Sequence, residues 1–455
     1  MANDDQKGAD AHQPPGCFKP DPQTRWIEDR VAYFAGERWT LGVVGLGYVG
    51  LPIAIAAVEA GLHVIGFDVD EGRVQGLERG ESHIDDISDE RLAEALRSGL
   101  RIASDASALR PTDAIFVAVP SPLSRNRQPD MSYIEAASRT IGQVIKPGHL
   151  ISLESTTYPG TTEEIFPAVL ESAGLRLDED VFVAFSPERV DPGNPLEPSE
   201  IPKVVGGLTP ASTSVASAAY ARLFPKVHEV SSASEAELTK LLENTYRAVN
   251  IAMVNELVRL ADHLGIDLWE VIDAAATKPF GYQAFYPGPG VGGHCIPLDP
   301  QFLAWRAKEF RAPTRFIDLA DEINQTMPSY VVSRVTRQLN EQGKPVRRSR
   351  VLGIGISYKR NISDARESPS LDVLRLLRDS GAVIGVIDPF ASESVIRGEG
   401  FFAVRPGDIG FWDIAVVLTD HESVDYREVL NSTTGVLDCR GVYRRLGLTG
   451  PVINL

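Results

Sequence analysis

Three glycines at fixed spacing constrain the fold of this chain more than any other feature. Gly45 ends an apolar run at residues 41–45, Gly47 follows it, and Gly50 lies near the start of an Ala-rich segment at residues 49–60. A strand, a tight turn and a helix in this order present backbone N–H groups and the positive end of a helix dipole to an anion. The spacing therefore predicts a pyrophosphate site, although three glycines in this pattern can also mark an ordinary turn.

An acidic residue further along the chain favours binding of a dinucleotide. Asp68 ends the apolar run that begins at His63, where a carboxylate can accept hydrogen bonds from both ribose hydroxyls. Val69 rather than an arginine follows it, which favours NAD over NADP, but Arg73 could still flank the adenosine. NAD is the predicted cofactor, and its predicted site contains Gly45, Gly47, Tyr48, Val49, Gly50, Asp68, Val69 and Arg73.

Alternating strand and helix patterns predict an α/β fold with parallel, doubly wound sheets. One alternating block begins near Thr40, and a second begins at Val351, after a polar stretch. The predicted divisions are an N-terminal tail at 1–38, a Rossmann-type NAD domain at 39–232, a central helical region at 233–340 and a C-terminal Rossmann-like domain at 341–455.

The segment between the two blocks predicts one long helix. Residues 234–264 contain no Gly or Pro and are amphipathic. Ser234 followed by Glu237 has the pattern of a capping box, and Gly265 can end the helix. Such a helix could join two domains and form a dimer surface, or it could be a buried helix of one large domain.

The composition excludes several classes of protein. The chain of 455 residues is too long for a single core, and 45 Lys and Arg against 62 Asp and Glu give a formal net charge of −17. No basic surface is then available to bind nucleic acid. The sequence also contains no apolar run of about 18 residues, the length that a membrane-spanning helix needs. We expect a cytoplasmic protein, because three cysteines are too few for a disulfide framework and no signal peptide is recognisable. No metal site is predicted.

A second motif surrounds Cys295. Residues 286–300 (YPGPGVGGHCIPLDP) are rich in Gly and Pro, so backbone amides of a rigid loop can approach a ligand closely. Such loops rarely house a packing cysteine, and we therefore predict a nucleophile rather than an inert thiol. His294 is expected to have a structural or substrate-facing role, because adjacent side chains usually point apart. Cys17 and Cys439 are predicted to be non-catalytic.

These motifs, together with the intervening NTYRAVNIAMVNEL, resemble the nucleotide-sugar 6-dehydrogenases, a family of UDP-glucose, UDP-N-acetylglucosamine and UDP-N-acetylmannosamine dehydrogenases. The resemblance covers about residues 40–455. It implies an NAD domain, a C-terminal UDP-sugar domain and a long central helix through which a homodimer forms. The implied reaction oxidises the C6 alcohol of the sugar to a carboxylate in two hydride transfers to NAD. Cys295 is implied to capture the aldehyde as a thiohemiacetal, which becomes a thioester that water hydrolyses.

The resemblance also implies roles for residues that would otherwise be read as surface or loop groups. Lys240 and Asn244 stabilise oxyanions from one face of the helix, Asp299 positions or deprotonates water, and Glu188 is the general base of hydrolysis. The further cofactor residues are Val119, Pro120, Glu154, Ser155, Thr156 and Arg366. The substrate residues are Arg189, Tyr286, Gly288, Gly290, Gly292, Lys359 and Arg440.

Three positions depart from the family pattern. Val119 stands where the family usually has a threonine, so a hydroxyl contact is lost unless Ser121 supplies it. Pro192 stands where some members have a second glutamate, and no clear arginine in 278–282 matches the one that reaches a neighbouring subunit.

The identity of the sugar is the least constrained prediction. SPERVDPG and TKPFGY favour the N-acetylglucosamine branch, with UDP-glucose also open, because one or two substitutions change such a pocket. The alternatives are a dTDP-glucose 6-dehydrogenase of a specialised pathway, a hydroxyacid dehydrogenase that transfers a single hydride, and an inactive nucleotide-sugar-binding protein. Neither of the last two needs Cys295.

Overall fold

A computed structural model of the protein describes residues 21–84, 87–124, 126–189 and 200–455. Cys17 and Pro192, which two of the expectations above concern, lie outside these ranges. Within them, no helix combines the length and the apolar character that crossing a membrane requires.

An eight-stranded sheet organises the first block. Its strands are β1 (Thr40–Val44), β2 (His63–Phe67), β3 (Leu100–Ala103), β4 (Ala114–Val117), β5 (Leu150–Leu153), β6 (Phe182–Phe185), β7 (Lys203–Gly207) and β8 (Val227–Glu229). They lie in the order β3-β2-β1-β4-β5-β6-β7-β8, and only β6 and β7 pair antiparallel. Leu41 of β1 pairs with Val64 on one side and Ala114 on the other. Chain order reverses between β1 and β4, and ligands of such sheets bind at this crevice.

Helices cover both faces of this sheet, which is why its inner strands are continuous apolar runs. They are α1 (Pro22–Ala35), α2 (Gly50–Glu59), α3 (Glu71–Glu78), α4 (Asp89–Ser98), α5 (Ser132–Gly142), α6 (Thr161–Ser172) and α7 (Pro210–Tyr220). Helices α1, α2, α4 and α7 contribute to the core on one face, and α5 and α6 to the core on the other.

Helix α1 lies within the predicted division 1–38, where the helical spacing of Trp26, Ile27, Val31 and Phe34 predicts a short helix packed on the first block. Asp21 caps it by accepting hydrogen bonds from two backbone N–H groups, and Pro22 begins it. Phe34, which is fully buried, packs edge-on against Trp39 with ring centroids 5.3 Å apart. Residues 22–35 therefore belong to the first core, because their apolar side is buried against it.

The long central helix, α8 (Ala233–Leu264), confirms the predicted helix but not its predicted capping box. Ser232 is the N-cap, and its hydroxyl pairs with the carboxylate of Glu235. Glu237 lies on the buried face of this amphipathic helix, where it is 1% exposed. There its carboxylate accepts hydrogen bonds from the N–H groups of Gly160 and Thr162 at the start of α6. Gly265 ends α8 in a left-handed conformation, as predicted.

The second block repeats the strand order of the first six strands of the first block. Its strands β9 (Arg350–Ile354), β10 (Val383–Ile387), β11 (Phe402–Ala403), β12 (Ile414–Val417), β13 (Val436–Asp438) and β14 (Val452–Asn454) form a parallel sheet in the order β11-β10-β9-β12-β13-β14. The remaining helices are α9 (Leu268–Ala276), α10 (Asp299–Glu309), α11 (Arg315–Glu341), α12 (Pro369–Asp379), α13 (Glu393–Gly398), α14 (Tyr426–Asn431) and α15 (Val442–Leu446). The predicted fold, two Rossmann-type units joined by a long helix, is thus confirmed.

Candidate active site

The glycine loop between β1 and α2 has the geometry that its sequence predicts. Gly45 has a φ of +89°, and a Cβ there would lie 2.5 Å from the carbonyl oxygen of Ala118. A Cβ on Gly50 would lie 1.8 Å from the carbonyl oxygen of Gly45, so helix and strand could not pack. A Cβ on Gly47 would meet nothing within 4 Å, so its backbone is open to an approaching phosphate.

Asp68 supports this loop from the end of β2. Its carboxylate accepts hydrogen bonds from the N–H of Leu46 at 2.8 Å and from Nη1 of Arg73 at 2.8 Å. Arg73, predicted beside the adenosine, therefore reaches the same carboxylate that is predicted to bind ribose. Val69 is 83% exposed and Tyr48 is 46% exposed at the rim of the loop. These groups fit an adenosine diphosphate at the carboxyl end of the sheet.

Four predicted catalytic groups come from two helices and one loop. The carbonyl of Cys295 accepts a hydrogen bond from the N–H of Asp299 at 2.8 Å, and the cysteine side chain is exposed. Asp299 begins α10, and its buried carboxylate accepts a hydrogen bond from Nδ2 of Asn244 at 2.6 Å. Lys240, one turn before Asn244 on α8, donates a hydrogen bond to the hydroxyl of Thr156, which follows β5.

The electrostatics of this group centre on Asp299. Burial raises the pKa of its carboxyl above the usual value, and Lys240 and Asn244 lower it in part. Lys240 is itself 7% exposed, so its charge acts in a site from which most water is excluded. An ammonium and an amide beside a buried acid can stabilise a developing oxyanion.

The residues around Thr156 hold the loop that follows β4. The hydroxyl of Ser155 donates a hydrogen bond to the carbonyl oxygen of Val119 at 2.8 Å. Val119, at the position where a threonine was expected, and Pro120 are thereby fixed through the backbone. Glu154, predicted to bind cofactor, is instead fully buried, because its carboxylate pairs with Lys203 at 2.6 Å.

Glu188, the predicted base, follows β6 and shares the Lys203 ammonium. Nζ of Lys203 lies 3.2 Å from Oε2 of Glu188, and the N–H of Arg189 donates to Oε1 at 2.8 Å. The guanidinium of Arg189, a predicted substrate residue, forms a two-pronged ion pair with Glu243 of α8, at 2.6 and 3.2 Å. Lys203 was not among the predicted site residues, because nothing in the sequence around a lysine at the start of a strand indicates that it is buried.

The glycines of the cysteine loop allow it to pack closely against neighbouring elements. The N–H of Gly288 donates to Oδ1 of Asn255 on α8 at 3.0 Å. A Cβ on Gly290 or Gly292 would lie 3.0 or 2.7 Å from ring atoms of Pro369, at the start of α12. The loop therefore packs between the central helix and the second block. This packing fixes the backbone that carries Cys295.

A segment of the second block reaches both the cysteine loop and the glycine loop. Asp364 holds Arg366 by two hydrogen bonds of 2.9 and 2.8 Å and lies 3.8 Å from Nδ1 of His294. The guanidinium of Arg366 lies over the ring of Tyr48, 5.6 Å from its centroid. The prediction that Arg366 contributes to the cofactor side fits this placement. Lys359 lies on the same segment and is half-buried.

Two other predicted substrate residues lie at the far side of the loop. Nε of Arg440 donates a hydrogen bond to the carbonyl oxygen of Leu418 at 2.6 Å. A Cβ on Gly288 would lie 2.9 Å from Nη1 of Arg440. The ring of Tyr286 stacks on Trp269 at 4.9 Å, and its hydroxyl donates to Asp273 at 2.8 Å. Arg440 thus lies against the cysteine loop, whereas the hydroxyl of Tyr286 is turned towards α9.

A cavity of about 330 Å³ adjoins the cysteine loop. Val291, Ile296 and Pro297 of the loop line it together with Thr245 of α8 and Glu367. Thr245 follows Asn244 directly, so this cavity and the catalytic group share one turn of α8 and one loop.

Comparison with known proteins assigns these features to one family. Residues 39–224 match the NAD binding domain of the UDP-glucose/GDP-mannose dehydrogenase family, 234–326 match its central domain and 352–445 match its UDP binding domain. The chain belongs to this family. It is accordingly an enzyme, a nucleotide-sugar dehydrogenase with NAD as its cofactor, and the predicted family and cofactor are confirmed.

Several members of the UDP-glucose/GDP-mannose dehydrogenase family are similar over most of their length. A UDP-N-acetyl-D-glucosamine 6-dehydrogenase of Pseudomonas aeruginosa is 36% identical over 387 residues, which cover 84% of this chain and 90% of the relative. An NDP-N-acetyl-D-galactosaminuronic acid dehydrogenase of Ralstonia nicotianae is 36% identical, with 89% and 96% covered. The structure of a UDP-glucose dehydrogenase from Pyrobaculum islandicum matches with a TM-score of 0.80 at 30% identity, covering 91% of this chain and 97% of that one.

Proposed function

We propose that this enzyme oxidises the C6 alcohol of a UDP-linked hexose to a carboxylate through a covalent intermediate on Cys295. The observation that carries the proposal is the arrangement around Asp299. Its N–H is bound by the carbonyl of Cys295, and its carboxylate accepts a hydrogen bond from Asn244. The backbone of Cys295 is thus tied to a buried acid that accepts a hydrogen bond from an amide. A dehydrogenase that transfers one hydride needs no such thiol.

Covalent capture accounts for the cysteine. After the first oxidation has formed the aldehyde, Sγ of Cys295 adds to the aldehyde carbon and gives a thiohemiacetal. The second oxidation removes hydride from that carbon and leaves a thioester. Water then adds to the thioester carbon, the C–S bond breaks, and the carboxylate leaves while the thiol is restored. Because sulfur holds the carbon between the two oxidations, no aldehyde is released.

The side chains around Cys295 divide the remaining work. The Lys240 ammonium and the Asn244 amide stabilise the negative oxygen of each tetrahedral species, and removal of one such donor costs roughly 10²- to 10³-fold in rate. Glu188 accepts the proton of the attacking water, and Asp299 orients that water. Each role requires a group fixed before the reaction, which the short contacts of Asn244 and Glu188 provide.

The glycine loop and Asp68 are proposed to hold NAD. Bound NAD supplies the hydride acceptor for both oxidations. Gly47 would receive the pyrophosphate on its open backbone, and Asp68 the ribose. The other residues proposed for this site are Gly45, Tyr48, Val49, Gly50, Val69, Arg73, Val119, Pro120, Ser155, Thr156 and Arg366.

The substrate would lie between the cysteine loop and the second block. Lys359 and Arg440 supply positive charge for its diphosphate, and Gly288, Gly290 and Gly292 let the loop backbone approach it. The substrate is proposed to be UDP-N-acetylglucosamine or UDP-glucose, since the relatives described above are named for nucleotide-linked N-acetylated sugars or for UDP-glucose.

A second copy of the chain is proposed to cover one face of α8. An exposed apolar stripe follows this helix at helical spacing: Leu238, Leu242, Tyr246, Met253, Leu257, Leu260 and Leu264. Monomeric proteins rarely expose so long an apolar surface. A homodimer through the central helix would remove it from water.

The test is to count NADH per sugar by absorbance, with UDP-N-acetylglucosamine, UDP-glucose and dTDP-glucose each as the limiting substrate. Two NADH per sugar with one of them would support the proposal and identify the hexose. One NADH per sugar would contradict the four-electron reaction, and NAD binding without any turnover would favour the binding-protein alternative.

A matched pair of cysteine variants tests the covalent step. Cys295→Ala is expected to abolish formation of the acid while NAD affinity, measured by calorimetry, stays unchanged. Cys17→Ala, at a cysteine predicted to be non-catalytic, is the control and is expected to behave as the wild type. Wild-type acid formation by Cys295→Ala would overturn the mechanism.

A further inference from the structure

Behind Glu188 lies a buried ion cluster that the mechanism above does not use. Lys203, at the start of β7, is 3% exposed, and its ammonium lies between two carboxylates. Oε2 of Glu154 is 2.6 Å from Nζ and Oε2 of Glu188 is 3.2 Å from it. On the far side, the hydroxyl of the fully buried Tyr220 donates to Oε1 of Glu154 at 2.5 Å.

The charges of this cluster are unequal. Two carboxylates and one ammonium carry one surplus negative charge, and buried charges are costly unless they are paired. Glu154 is fully buried and closest to the ammonium, whereas the side chain of Glu188 is 14% exposed. The surplus charge is therefore least costly on Glu188, the more exposed of the two carboxylates.

The titration of Lys203 and Tyr220 agrees with this distribution. Burial lowers the pKa of Lys203, but Glu154 and Glu188 outweigh burial and raise it above its usual value. Burial also raises the pKa of Glu154, with Lys203 opposing and Glu188 adding to the rise. Tyr220 has a pKa well above its usual value, chiefly through burial. The ammonium and the phenol thus keep their protons.

We propose that Lys203 and Glu154 are positioning residues that keep Glu188 oriented, ionised and able to accept a proton. The inference rests on the proposed role of Glu188 in thioester hydrolysis. Glu154 neutralises Lys203, so the ammonium holds Glu188 without abolishing its basicity. When Glu188 takes the proton of water, a neutral Glu188 and a balanced Lys203–Glu154 pair remain, and no buried charge is left alone.

The chemistry of the step is balanced. The water oxygen bonds to the thioester carbon, its proton passes to Glu188, and the C–S bond breaks with its electron pair moving to Cys295. No electron is exchanged with the cofactor. Among the described residues, the groups next to Glu188 include Lys203 of β7, Glu154 after β5, the adjacent Arg189 and, through Arg189, Glu243 of α8.

Two substitutions with opposite predicted effects provide the test. Glu154→Gln leaves Lys203 paired with Glu188 alone, so Glu188 should become a weaker base. Lys203→Met leaves two carboxylates without the ammonium, so Glu188 should hold its proton to higher pH. Lys344→Met, which removes a half-exposed lysine paired with Asp413, is the control.

The first readout does not depend on activity. In protein labelled with ¹³C-glutamate, the Glu188 carboxyl signal is identified by its absence from Glu188→Gln and titrated by NMR. We expect its midpoint to rise by about one pH unit or more in Lys203→Met and to fall by a similar amount in Glu154→Gln. Midpoints that coincide, or that move in the same direction, would overturn the inference.

The second readout connects the cluster to hydrolysis. With the UDP-sugar that yields two NADH, the acid limb of kcat should shift in the same order as the midpoints, and the acyl-enzyme should accumulate in Glu154→Gln, as detected by intact mass. KM should change little. If no UDP-sugar is oxidised, the proposed function fails while the NMR titration still decides the charge balance. An unchanged acid limb in both variants, with two NADH formed, would overturn the role in catalysis.

Discussion

Asp68 and Asp388 occupy equivalent positions in the two sheets. Each follows the second strand of its block, and each accepts a hydrogen bond from the N–H next to a left-handed glycine: Leu46 at 2.8 Å for Asp68 and Ile356 at 2.7 Å for Asp388. Their second partners differ. Asp68 pairs with Arg73 at 2.8 Å, whereas Asp388 faces the buried His421 at 3.3 Å.

This difference gives the two carboxylates different surroundings. The Nδ1 atom of His421 accepts a hydrogen bond from the N–H of Asn361 at 3.0 Å, so its proton lies on Nε2, facing Asp388. Asp388 thereby connects β10 with the segment that carries Lys359 and Arg366. The same backbone arrangement holds the glycine loop in the first block and the segment after β9 in the second.

Asp388→Asn is expected to destabilise the protein by about 2–3 kcal/mol at neutral pH. Burial raises the pKa of Asp388, but His421 and backbone N–H groups outweigh it and hold the pKa well below the usual value. The ionised form is therefore favoured by folding, and its contribution is present above about pH 4 and is lost as the pH falls below that. Urea unfolding at several pH values measures the difference. Asp408→Asn, at an exposed position, is the control, and a cost independent of pH would contradict the prediction.

Glu237→Gln tests a buried carboxyl whose pKa is raised in the folded protein, whereas that of Asp388 is lowered. Burial raises the pKa of Glu237 to about 7, against hydrogen bonds from Thr162 and Gly160 that lower it. Its contribution to stability is thus complete below about pH 4.5 and is lost as the pH rises through 7. The wild type should lose roughly 2–3 kcal/mol relative to the variant between pH 4 and pH 8.

The measurement is the difference in free energy of unfolding between Glu237→Gln and the wild type across that range. Glu171→Gln, at an exposed position on α6, should show no such change with pH. A constant difference between the wild type and Glu237→Gln would show that folding does not raise the pKa of Glu237.

Gly292→Ala is expected to displace the cysteine loop. The added methyl would lie 2.8 Å from the carbonyl oxygen of Glu367 and 2.7 Å from Pro369, and neither is the end of a flexible side chain. A shift of about 1 Å in a catalytic group can lower the rate about 10²-fold. We expect that loss in kcat with NAD affinity unchanged, since the glycine loop is untouched.

The control for this loop variant is Gly398→Ala. Its added Cβ would meet nothing within 4 Å, and Gly398 ends a short helix of the second block. Equal rates for both variants would refute the view that close packing of Gly292 orients Cys295.

Charged substitutions on the central helix test the proposed homodimer. Leu242 and Leu257 are 62% and 41% exposed on the apolar stripe. The combined variant Leu242→Asp with Leu257→Asp should sediment and scatter light as a single 49.5 kDa chain, while the wild type should have twice that mass. Leu446→Asp, 53% exposed on α15, should leave the mass unchanged. A wild type that is monomeric at all concentrations would contradict the proposal.

Local patterns in the sequence determined the two Rossmann units, the long helix and the identity of the thiol. A strand, a glycine turn and a helix lie within about twenty residues, so their spacing specifies their geometry directly. The cysteine loop is likewise contiguous, and its glycines are required where the backbone meets Pro369. The capping box of α8 was misplaced by two residues, because only packing decides which glutamate turns inward.

Only the tertiary structure decided which distant groups meet. Lys203 is a lysine at a strand start, Glu154 a carboxylate after another strand, and neither carries a local sign of the other. The contact of Arg366 with Tyr48 likewise joins the two blocks. Such contacts depend on how sheets and helices pack in three dimensions, and a single sequence does not contain that information in its spacing. The sequence therefore predicted the reacting groups, and the fold determined the charges that surround them.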